Sequence, residues 1–419
     1  MDNQLRKSAS DVIASVPAIT LAAFCETEGL MAVLRASAAD RRMSRASCIV
    51  ESGGIAAAVA AYRETRTPSV LIVETAHGAS DILAALKPLA DVCDPSTLVV
   101  VVGHLNDVVL YRELIRSGVA EYLATPLTQL QVIDAVAGLF RDPASQPVGR
   151  IITFIGAKGG VGSSTLAHNL SWLFANQAKV NTVVTDLDLS FGTSGLNFNQ
   201  DVTSGLADAV SQFDRLDSVF LDRLLTRCSD NLSLLAGAAQ LEREVLLNED
   251  TITAVLDTLR QSAPVVAVDM PSSWSTWSRH TLINADDVVI TATPDLASMR
   301  NARNIAELLR ASRQNDVPPY LVLNQVGIPK RPEISAADFS KAVGIEPSVM
   351  IPFDPMNFGQ SATTGTMLCE MAPKSKAVEE MKSLFASMNS RLRSAPPQRP
   401  VAQKSILNRL KSVISAGKN

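Results

Sequence analysis

The stretch FIGAKGGVGSSTLAHNL, from Phe154 to Leu170, decides how the second half of the chain folds. Small apolar residues run into a loop with three glycines and three hydroxyl residues, and an apolar helical pattern follows. This order of strand, glycine loop and helix lets backbone N–H groups surround a phosphate at a helix N-terminus. The P-loop pattern has lysine directly after the last glycine, whereas this chain has Ser163. The stretch therefore predicts a phosphate site and leaves its catalytic capacity open.

The glycines and hydroxyls of this loop suit a bound triphosphate. The glycines permit backbone angles that bulky residues resist, and they let N–H groups approach phosphate oxygens without side-chain clashes. Ser164 or Thr165 offers a hydroxyl at the start of the helix, where Mg²⁺ is expected to sit. An ordinary strand-to-helix turn also contains glycine, so the neighbouring strands decide between the two interpretations.

Carboxylates follow two of the neighbouring strands. Asp186 and Asp188 end the strand in VVTDLDLSFG, and Asp269 ends the strand in PVVAVDMPSS. A single aspartate after a strand is more often a helix cap or a turn former. Strand ends at the carboxyl edge of a parallel sheet face one crevice, so we expect these three carboxylates to converge on the loop. Three in this order favour a nucleoside triphosphatase.

A dinucleotide-binding fold is the main chemical alternative. Gly160, Gly162 and the acid at Asp186 imitate its fingerprint. However, Thr165 takes the place of the third glycine, and Lys158 has no role in that interpretation.

Composition and charge indicate a protein of several domains. At 419 residues, with 47% hydrophobic and 19% charged, the chain has room for two or three cores. Residues 389–419 carry seven Lys or Arg and no acid, which leaves a net charge of −11 on the rest. An acidic body argues against a dedicated nucleic-acid surface. The five cysteines and four histidines are scattered, which predicts no disulfide and no metal cluster, in a reducing cytoplasm.

Two series of alternating strands and helices are predicted. From residue 18 to residue 140, apolar strands alternate with amphipathic helices, which indicates a parallel sheet covered on both faces. Five βα units, one with a helix over residues 55–65, predict a flavodoxin-like domain. A second series runs from Ile151 to about Ser390. The predicted fold class is α/β, with two doubly wound parallel-sheet domains.

Composition shifts divide the chain into five segments. We predict an N-terminal arm over 1–17, a first domain over 18–142, a linker over 143–150, a second domain over 151–390 and a basic tail over 391–419. The linker is rich in Pro, Ser and Gly. The tail joins a proline-stiffened spacer to the pattern KSILNRLKSVI, which predicts a short amphipathic helix. No apolar run reaches the length of a membrane span.

The first domain resembles a response-regulator receiver domain, with EYLATPL where that family has its lysine–proline turn. The resemblance places the phosphoacceptor aspartate at Glu74, the lysine at Thr125 and the hydroxyl at Gly103. The acidic pair falls on or near Phe24, Cys25 and Glu26. A receiver needs a carboxylate nucleophile, a carboxylate pair for Mg²⁺ and a lysine. We therefore expect a degenerate receiver used for docking; an unrelated α/β module of the same topology is the alternative.

The second domain resembles the ParA/MinD class of P-loop ATPases through KGGVGSST, DLDLSFG, VDMP and LVLNQVG. This similarity covers residues 151–390. The receiver-like domain and the phrases TPDLASMRNARN and LNQVGIPKRPEI make the chain similar to the CpaE/TadZ family of Flp (tight adherence) pilus assembly. The wider resemblance spans nearly the whole chain apart from its terminal segments.

The ParA/MinD resemblance implies roles for the catalytic and metal-binding residues. Lys158 is the signature lysine, which in a nucleotide-sandwich dimer reaches the partner's phosphates, and Asp188 positions the attacking water. Ser164 supplies the Mg²⁺-binding hydroxyl and Asp269 the Walker B carboxylate, while Asp186 belongs to the nearby metal–water network.

The same resemblance implies that the nucleotide is ATP. Asn324 aligns with the adenine-reading asparagine, and residues 351–354 lie in the region that closes over the base. The residues implied in nucleotide binding are Gly159, Gly160, Val161, Gly162, Ser163, Ser164, Thr165, Asn324, Pro352 and Asp354.

Ser163 limits the chemistry that we expect. The usual lysine places a fixed positive charge at the β/γ-phosphates, and Ser163 cannot supply it. The loss of one such electrostatic contact costs about 2.7–4 kcal/mol in the barrier. We therefore expect ATP to bind through backbone amides, Mg²⁺ and Lys158 of a second copy, and hydrolysis to be slow or conditional.

The resemblance implies an ATP-binding, dimerising factor that localises or assembles a Flp-type pilus secretion machine. Its partners are then a second copy and the secretion and assembly proteins, including the secretion ATPase. Its location is the cytoplasm, at the cell pole or the inner face of the membrane. One alternative is a MinD/ParA-like positioning ATPase on a membrane or on DNA, although the charge of −11 outside the tail argues against DNA. Another is a non-hydrolysing scaffold.

Overall fold

The computed structural model of the chain describes residues 13–78, 81–141, 148–237 and 245–393. They form two compact units, whose described residues are 13–141 and 148–393. Each unit is built on a largely parallel sheet, so the predicted α/β class with two parallel-sheet domains is confirmed. All five cysteines are free, as predicted.

The first unit has a five-stranded parallel sheet in the order β2-β1-β3-β4-β5, which is the flavodoxin-like order. Its strands are β1 (Ile19–Cys25), β2 (Ala46–Ser52), β3 (Val70–Glu74), β4 (Leu98–Gly103) and β5 (Glu121–Ala124). Its α-helices are α1 (Glu28–Ala38), α2 (Gly54–Ala61), α3 (Ile82–Val92), α4 (Val108–Arg116) and α5 (Gln129–Leu139). The apolar runs of β3 and β4 are buried on both faces, as a sheet covered by helices requires.

Two boundaries of the first unit differ from the prediction. Helix α2 ends at Ala61, whereas the sequence predicted a helix over 55–65. The chain leaves the helix at Tyr62, whose backbone angles (φ −109°, ψ 18°) are not helical, and the Thr65 hydroxyl donates to the Ala61 carbonyl at 2.9 Å. Val16, predicted to lie in an arm, is fully buried in an apolar cluster of this unit, and its backbone N–H donates to the Arg42 carbonyl at 2.8 Å.

The second unit has an eight-stranded sheet in the order β13-β12-β11-β6-β10-β7-β9-β8, parallel except for β8. Its strands are β6 (Arg150–Gly156), β7 (Thr182–Asp186), β8 (Thr226–Ser229), β9 (Leu232–Leu235), β10 (Val265–Asp269), β11 (Asp287–Ala292), β12 (Tyr320–Val326) and β13 (Pro347–Pro352). Its α-helices are α6 (Ser163–Asn176), α7 (Ser194–Asn197), α8 (Leu206–Ser211), α9 (Ser218–Leu224), α10 (Glu249–Ser262), α11 (Thr276–Asn284), α12 (Leu296–Ser312), α13 (Ala336–Val343), α14 (Pro355–Thr364), α15 (Leu368–Met371) and α16 (Lys376–Arg393).

Strand register brings the predicted carboxylates to one edge of this sheet. Strands β7 and β10 are adjacent, and Asp186 and Asp269 are register partners at their carboxyl ends. Asp269 also pairs in register with Phe154 of β6, the strand that leads into the glycine loop. Two apolar clusters, one on each face, bury the sheet and fix these positions.

The last helix and the first strand of the second unit share one buried carboxylate. Asp287, at the start of β11, is 3% exposed. It accepts hydrogen bonds from Arg150 at 2.7 Å and from Arg391 at 3.1 Å. The Arg391 guanidinium also lies 4.3 Å from the centre of the Tyr320 ring. These contacts pin the C-terminal end of α16 to the sheet.

The first strand and the last helix of the second unit extend slightly beyond the predicted range of 151–390. Helix α16 continues to Arg393 because Arg391 is held by Asp287, and Arg150 is already the first residue of β6. The remaining tail, including the amphipathic pattern, lies outside the described residues. Within the described ranges, no helix has the length and apolarity needed to span a bilayer.

Replacing Asp287 by alanine is expected to lower the free energy of unfolding of the second unit by about 3 kcal/mol, because two guanidinium groups lose their carboxylate. All three tryptophans (Trp172, Trp274 and Trp277) belong to this unit, so tryptophan fluorescence in guanidinium chloride follows its unfolding. Glu307→Ala is the control, since its pair with Arg303 is exposed and is worth less than about 1 kcal/mol. Equal effects of the two substitutions would contradict the anchoring role.

Candidate functional site

A cavity of about 750 Å³ opens at the carboxyl edge of the second sheet. All residues assigned to a nucleotide or metal site from the sequence line it: Lys158, Gly159, Gly160, Val161, Gly162, Ser163, Ser164, Thr165, Asp186, Asp188, Asp269, Asn324, Pro352 and Asp354. The structure therefore brings the separate sequence motifs together around one space.

The glycine loop has a backbone shape that side chains would prevent. Gly160 (φ +78°) and Gly162 (φ +90°) are in the left-handed region, and Gly162 caps helix α6. A Cβ atom on Gly162 would collide with the side-chain amide of Asn324. The loop is held from β12, since Asn324 Nδ2 donates to the Val161 carbonyl at 2.7 Å and Gln325 Nε2 to the Gly160 carbonyl at 2.9 Å.

Asn324 and Asp354 are both engaged by protein groups. Besides binding the loop, Asn324 accepts a hydrogen bond from the Gln325 backbone N–H through Oδ1 at 2.9 Å. Asp354 caps α14 by accepting the Asn357 backbone N–H at 3.1 Å. Both side chains shape the cavity wall, and adenine reading by Asn324 stays a prediction.

Ser163 occupies the lysine position with a buried hydroxyl. The residue is 8% exposed, and its Oγ has no hydrogen-bond partner among the described residues. A buried hydroxyl without a partner costs free energy, so such groups in native proteins usually mark a missing ligand, water or ion. Ser163 lines the cavity beside the glycine loop, so a phosphate bound there is a candidate partner for its hydroxyl.

Asp269, another residue that lines the cavity, also has a buried atom without a partner. It is 4% exposed, and its Oδ1 has no partner among the described residues, while the Ser164 hydroxyl hydrogen-bonds the carboxylate. Burial, together with the charges of Asp186 and Asp188, raises the pKa of Asp269 well above its ordinary value. A nearby cation would offset that penalty.

The donors present suit Mg²⁺ in the company of phosphates. In the described parts of the chain, no three His, Cys, Asp or Glu side chains cluster into a metal cage. Mg²⁺ is commonly bound by one or two carboxylates with water and substrate phosphates instead. The Asp269 carboxylate and the Ser164 hydroxyl are oxygen donors of that kind.

Both carboxylate oxygens of Asp186 accept hydrogen bonds from the loop that follows β7. Its Oδ1 accepts the Asp188 backbone N–H at 3.0 Å, and its Oδ2 accepts the Ser194 N–H at 3.3 Å and the Ser194 hydroxyl at 2.7 Å. Burial raises its pKa, although these hydrogen bonds oppose the rise. Asp186 thus holds the backbone of Asp188, the residue expected to position water.

Lys158 is paired within its own chain. Its Nζ lies 2.9 Å from Oδ2 of Asp295, the residue that caps helix α12. Burial alone would raise the pKa of Asp295, but hydrogen bonds from the Ser298 backbone and the Thr293 hydroxyl, together with Lys158, lower it to about 2. Asp295 is therefore ionised and forms an ion pair with Lys158. The predicted contact of Lys158 with the phosphates of a second copy requires that this ion pair break.

His168 is a site residue that the sequence reasoning missed. It is 1% exposed, lines the cavity from α6, and bonds Ser194 and Asn197 through its two ring nitrogens. His168 has no neighbouring histidine or cysteine in the sequence, so metal-ligand spacing gives no signal there. A polar side chain on the buried face of a helix that starts at a glycine loop was the available signal.

The first unit has a closed carboxylate where the receiver resemblance places phosphotransfer. Glu74 is fully buried, and its Oε2 accepts the backbone N–H groups of Glu26 and Thr27, both at 2.7 Å. Its Oε1 accepts the Thr27 hydroxyl at 2.7 Å. Thr125, at the lysine position, bonds the ring of His104. Both side-chain oxygens of Glu74 are thus occupied by hydrogen bonds from the protein itself.

Comparison with known proteins finds similarity to an AAA domain model, to a MinD protein and to the fold of a ParA family ATPase. A family model described as an AAA domain matches residues 149–318. The septum site-determining protein MinD of Helicobacter pylori is 26% identical over 196 residues, which cover 44% of this chain and 69% of that protein. The crystal structure of a ParA family ATPase from Chlorobium tepidum is 24% identical, with a TM-score of 0.53, and covers 58% of this chain and 99% of that one. This last likeness shows the fold.

A third relative matches much more closely in sequence. The pilus assembly protein CpaE from Caulobacter crescentus, in its crystal structure, is 53% identical over 98% of the crystallised chain and 31% of this chain. The superposition has a TM-score of 0.30, so the relationship rests on the identity in sequence.

Glu74→Gln is expected to speed hydrogen exchange at the Glu26 and Thr27 amides at least tenfold, because the neutral amide is a weaker acceptor for both. The loss in stability is expected to be about 1–3 kcal/mol. Exchange resolved by mass spectrometry or NMR measures the effect. Glu113→Gln, on an exposed part of α4, is the matched control. Unchanged exchange at both amides would show that Glu74 does not hold this loop.

Asp269→Asn is expected to stabilise the nucleotide-free second unit and to abolish Mg²⁺-dependent binding of nucleotide. A raised carboxyl pKa in the folded state costs stability as pH rises above the ordinary value near 3.8, at about 1.4 kcal/mol per pKa unit. The advantage of the variant should therefore be small at pH 4 and largest at pH 8. Tryptophan-monitored unfolding at both pH values tests this, and an advantage that falls with rising pH contradicts it.

Proposed function

Since the chain belongs to the CpaE family, on the strength of 53% identity across nearly all of a crystallised member, we propose that it is an ATP-binding, dimerising factor for the localisation or assembly of a pilus secretion machine. Its second unit has a ParA/MinD-like ATPase fold. In this proposal ATP binding drives dimerisation, and hydrolysis is slow or conditional.

The observation that carries the proposal is the pair of unpartnered buried atoms in one cavity. The Ser163 hydroxyl can donate a hydrogen bond, and the Asp269 carboxylate oxygen can coordinate a cation. Both atoms lack partners among the described residues. They lie beside a loop whose glycines adopt left-handed backbone angles. A triphosphate would accept a hydrogen bond from the Ser163 hydroxyl, and its metal would bind the Asp269 oxygen. A phosphate or a metal alone would provide a partner for only one of the two atoms.

Each site residue then has a task. The glycine loop and the Ser163 hydroxyl bind phosphate oxygens, and Ser164 with Asp269 would hold Mg²⁺, which neutralises phosphate charge when bound. Asp188 orients a water molecule, and Asp186 fixes the backbone of Asp188 through the hydrogen bond at 3.0 Å. The phosphates thus receive dipoles and a hydroxyl, but no cation from the loop itself.

Lys158 connects nucleotide binding to association. It is 40% exposed, and in the single chain its charge is balanced by Asp295. In this proposal the phosphates of a second copy compete with Asp295 for the ammonium group. Exposed apolar side chains near the cavity mouth, Phe191 (74% exposed) and Phe353 (38% exposed), would be buried by the same association.

The remaining parts of the proposal concern partners and place. The receiver-like unit serves as a docking module, because its phosphotransfer position holds the bonded Glu74. The secretion ATPase and other pilus assembly proteins are the proposed partners, at the cell pole or the inner face of the membrane. A non-hydrolysing scaffold is the second candidate, favoured by Ser163 in place of lysine.

The proposal is tested by light scattering of the full chain with and without ATP and Mg²⁺, paired with calorimetric binding. The wild type is expected to bind one ATP per chain and to shift from monomer to dimer. Lys158→Ala should keep the binding and lose the dimer, while Lys341→Ala, an exposed lysine of α13, should behave as the wild type. Nucleotide-independent mass in all three proteins would contradict the proposal.

Ser163→Lys is expected to raise ATP turnover by tenfold or more, because the missing contact is worth about 2.7–4 kcal/mol in the barrier. Ser163→Met is the matched control, since it has a long side chain without the charge. Phosphate release under saturating ATP and Mg²⁺ measures the rate. If lysine and methionine give the same turnover, the absent charge is not what limits hydrolysis.

A further inference from the structure

His168 stands at the centre of a buried hydrogen-bond chain beneath the cavity. Its Nδ1 lies 3.2 Å from Nδ2 of Asn197, and its Nε2 lies 2.8 Å from Oγ of Ser194. Ser194 in turn donates its hydroxyl to Oδ2 of Asp186 at 2.7 Å. The chain therefore crosses from helix α6 to the loop between β7 and α7, and it ends on one of the predicted metal-site carboxylates.

Elementary hydrogen-bond rules fix the direction of this chain. Asn197 Nδ2 can only donate, so Nδ1 of His168 must accept and the ring proton must lie on Nε2. That proton is donated to Ser194, which leaves the serine proton for Asp186. Burial favours the neutral ring by lowering the pKa of His168 to about 3. All four groups are thereby satisfied with one orientation.

The hydrogen-bond chain ends at Asp186, the carboxylate that holds the loop after β7. Asp186 uses its other oxygen to accept the backbone N–H of Asp188, which is followed by the exposed Phe191. His168 Nε2 also lies 3.8 Å from Oδ2 of Asp269. His168 therefore lies near both strand-end carboxylates. Its hydrogen bond leads through Ser194 to Asp186, the carboxylate that holds the loop.

We propose that His168 is a positioning residue of the nucleotide site: by donating from Nε2 to Ser194, it orients Asp186 and thereby fixes the backbone of Asp188 beside Asp269. This inference deepens and rests on the proposed ATP-binding function. It assigns a task in the site to a residue that lies outside the glycine loop and the strand-end aspartates.

A filler role in the core does not account for the same contacts. The ring does pack against Phe198, with centroids 5.0 Å apart, and an apolar side chain could supply that contact. An apolar side chain would leave the buried Ser194 hydroxyl without its hydrogen-bond donor, and the half-buried Asn197 amide would keep only its bond to Thr193. The two polar arms therefore distinguish His168 from a core residue.

Two conservative variants separate the arms of the imidazole. Glutamine places an amide nitrogen near the position of Nε2, so His168→Gln keeps the donor to Ser194. Asparagine is shorter and places its oxygen near Nδ1, so His168→Asn keeps the acceptor for Asn197 and loses the donor. Ser194→Ala removes the next link without changing the histidine, which covers the case in which a 168 variant does not fold. His280→Asn, on α11 outside the cavity, is the matched control.

The first readout needs no nucleotide. The Asp188 amide hydrogen donates to Asp186, so its exchange rate reports whether Asp186 is held in place. We expect exchange at Asp188 to rise at least tenfold in His168→Asn and in Ser194→Ala, and to stay within about twofold of the wild type in His168→Gln and His280→Asn. The double variant His168→Asn/Ser194→Ala should exchange no faster than either single one.

The second readout is the gain in ATP affinity produced by Mg²⁺, taken as the ratio of dissociation constants in EDTA and in Mg²⁺. This ratio should fall at least tenfold in His168→Asn and Ser194→Ala and be kept in His168→Gln. Equal losses in the glutamine and asparagine variants, or unchanged exchange at Asp188 in both His168→Asn and Ser194→Ala, would overturn the role of His168. If the wild type binds no ATP, the proposed function fails, and exchange at Asp188 still decides whether His168 positions this loop.

Discussion

The second unit depends on the placement of two buried carboxylates side by side. Asp186 and Asp269 end adjacent strands in register, in a site that covers both almost completely. Such a pair is costly unless donors or a cation compensate it. Asp186 is compensated by Ser194 and the Asp188 backbone, whereas Asp269 keeps one oxygen without a partner among the described residues. The folded chain thus has a buried carboxylate at its cavity that a bound cation would stabilise.

The two units treat a strand-end carboxylate in opposite ways. In the first unit Glu74 receives backbone and hydroxyl donors on both oxygens, so the site is complete without a ligand. In the second unit the Asp269 Oδ1 atom and the Ser163 hydroxyl have no partner among the described residues, and both residues line the same cavity. A carboxylate with all its hydrogen-bond partners stabilises its own fold. A site with an unpartnered oxygen instead gains stability when a ligand binds there. This contrast favours docking by the first unit and nucleotide binding by the second.

Features set by local sequence were predictable, and features set by long-range contacts were not. The strand–loop–helix order and the strand-end aspartates follow from periodicity and from glycine, which act locally. The end of helix α16 is held by the pair of Arg391 with Asp287, 104 positions apart, which apolar periodicity does not show. The pair of Lys158 with Asp295 joins residues 137 positions apart, and neither partner signals the other in the sequence. The His168 chain was missed for the same reason.

The central claim is that the cavity grips a triphosphate with Mg²⁺ although the usual lysine of the loop is absent. Isothermal titration of the full chain with ATP in Mg²⁺ and in EDTA tests this most directly. The account predicts one ATP per chain, a dissociation constant well below about 1 mM in Mg²⁺, and binding at least tenfold weaker in EDTA. No heat of binding at millimolar ATP, or an affinity indifferent to Mg²⁺, would contradict it.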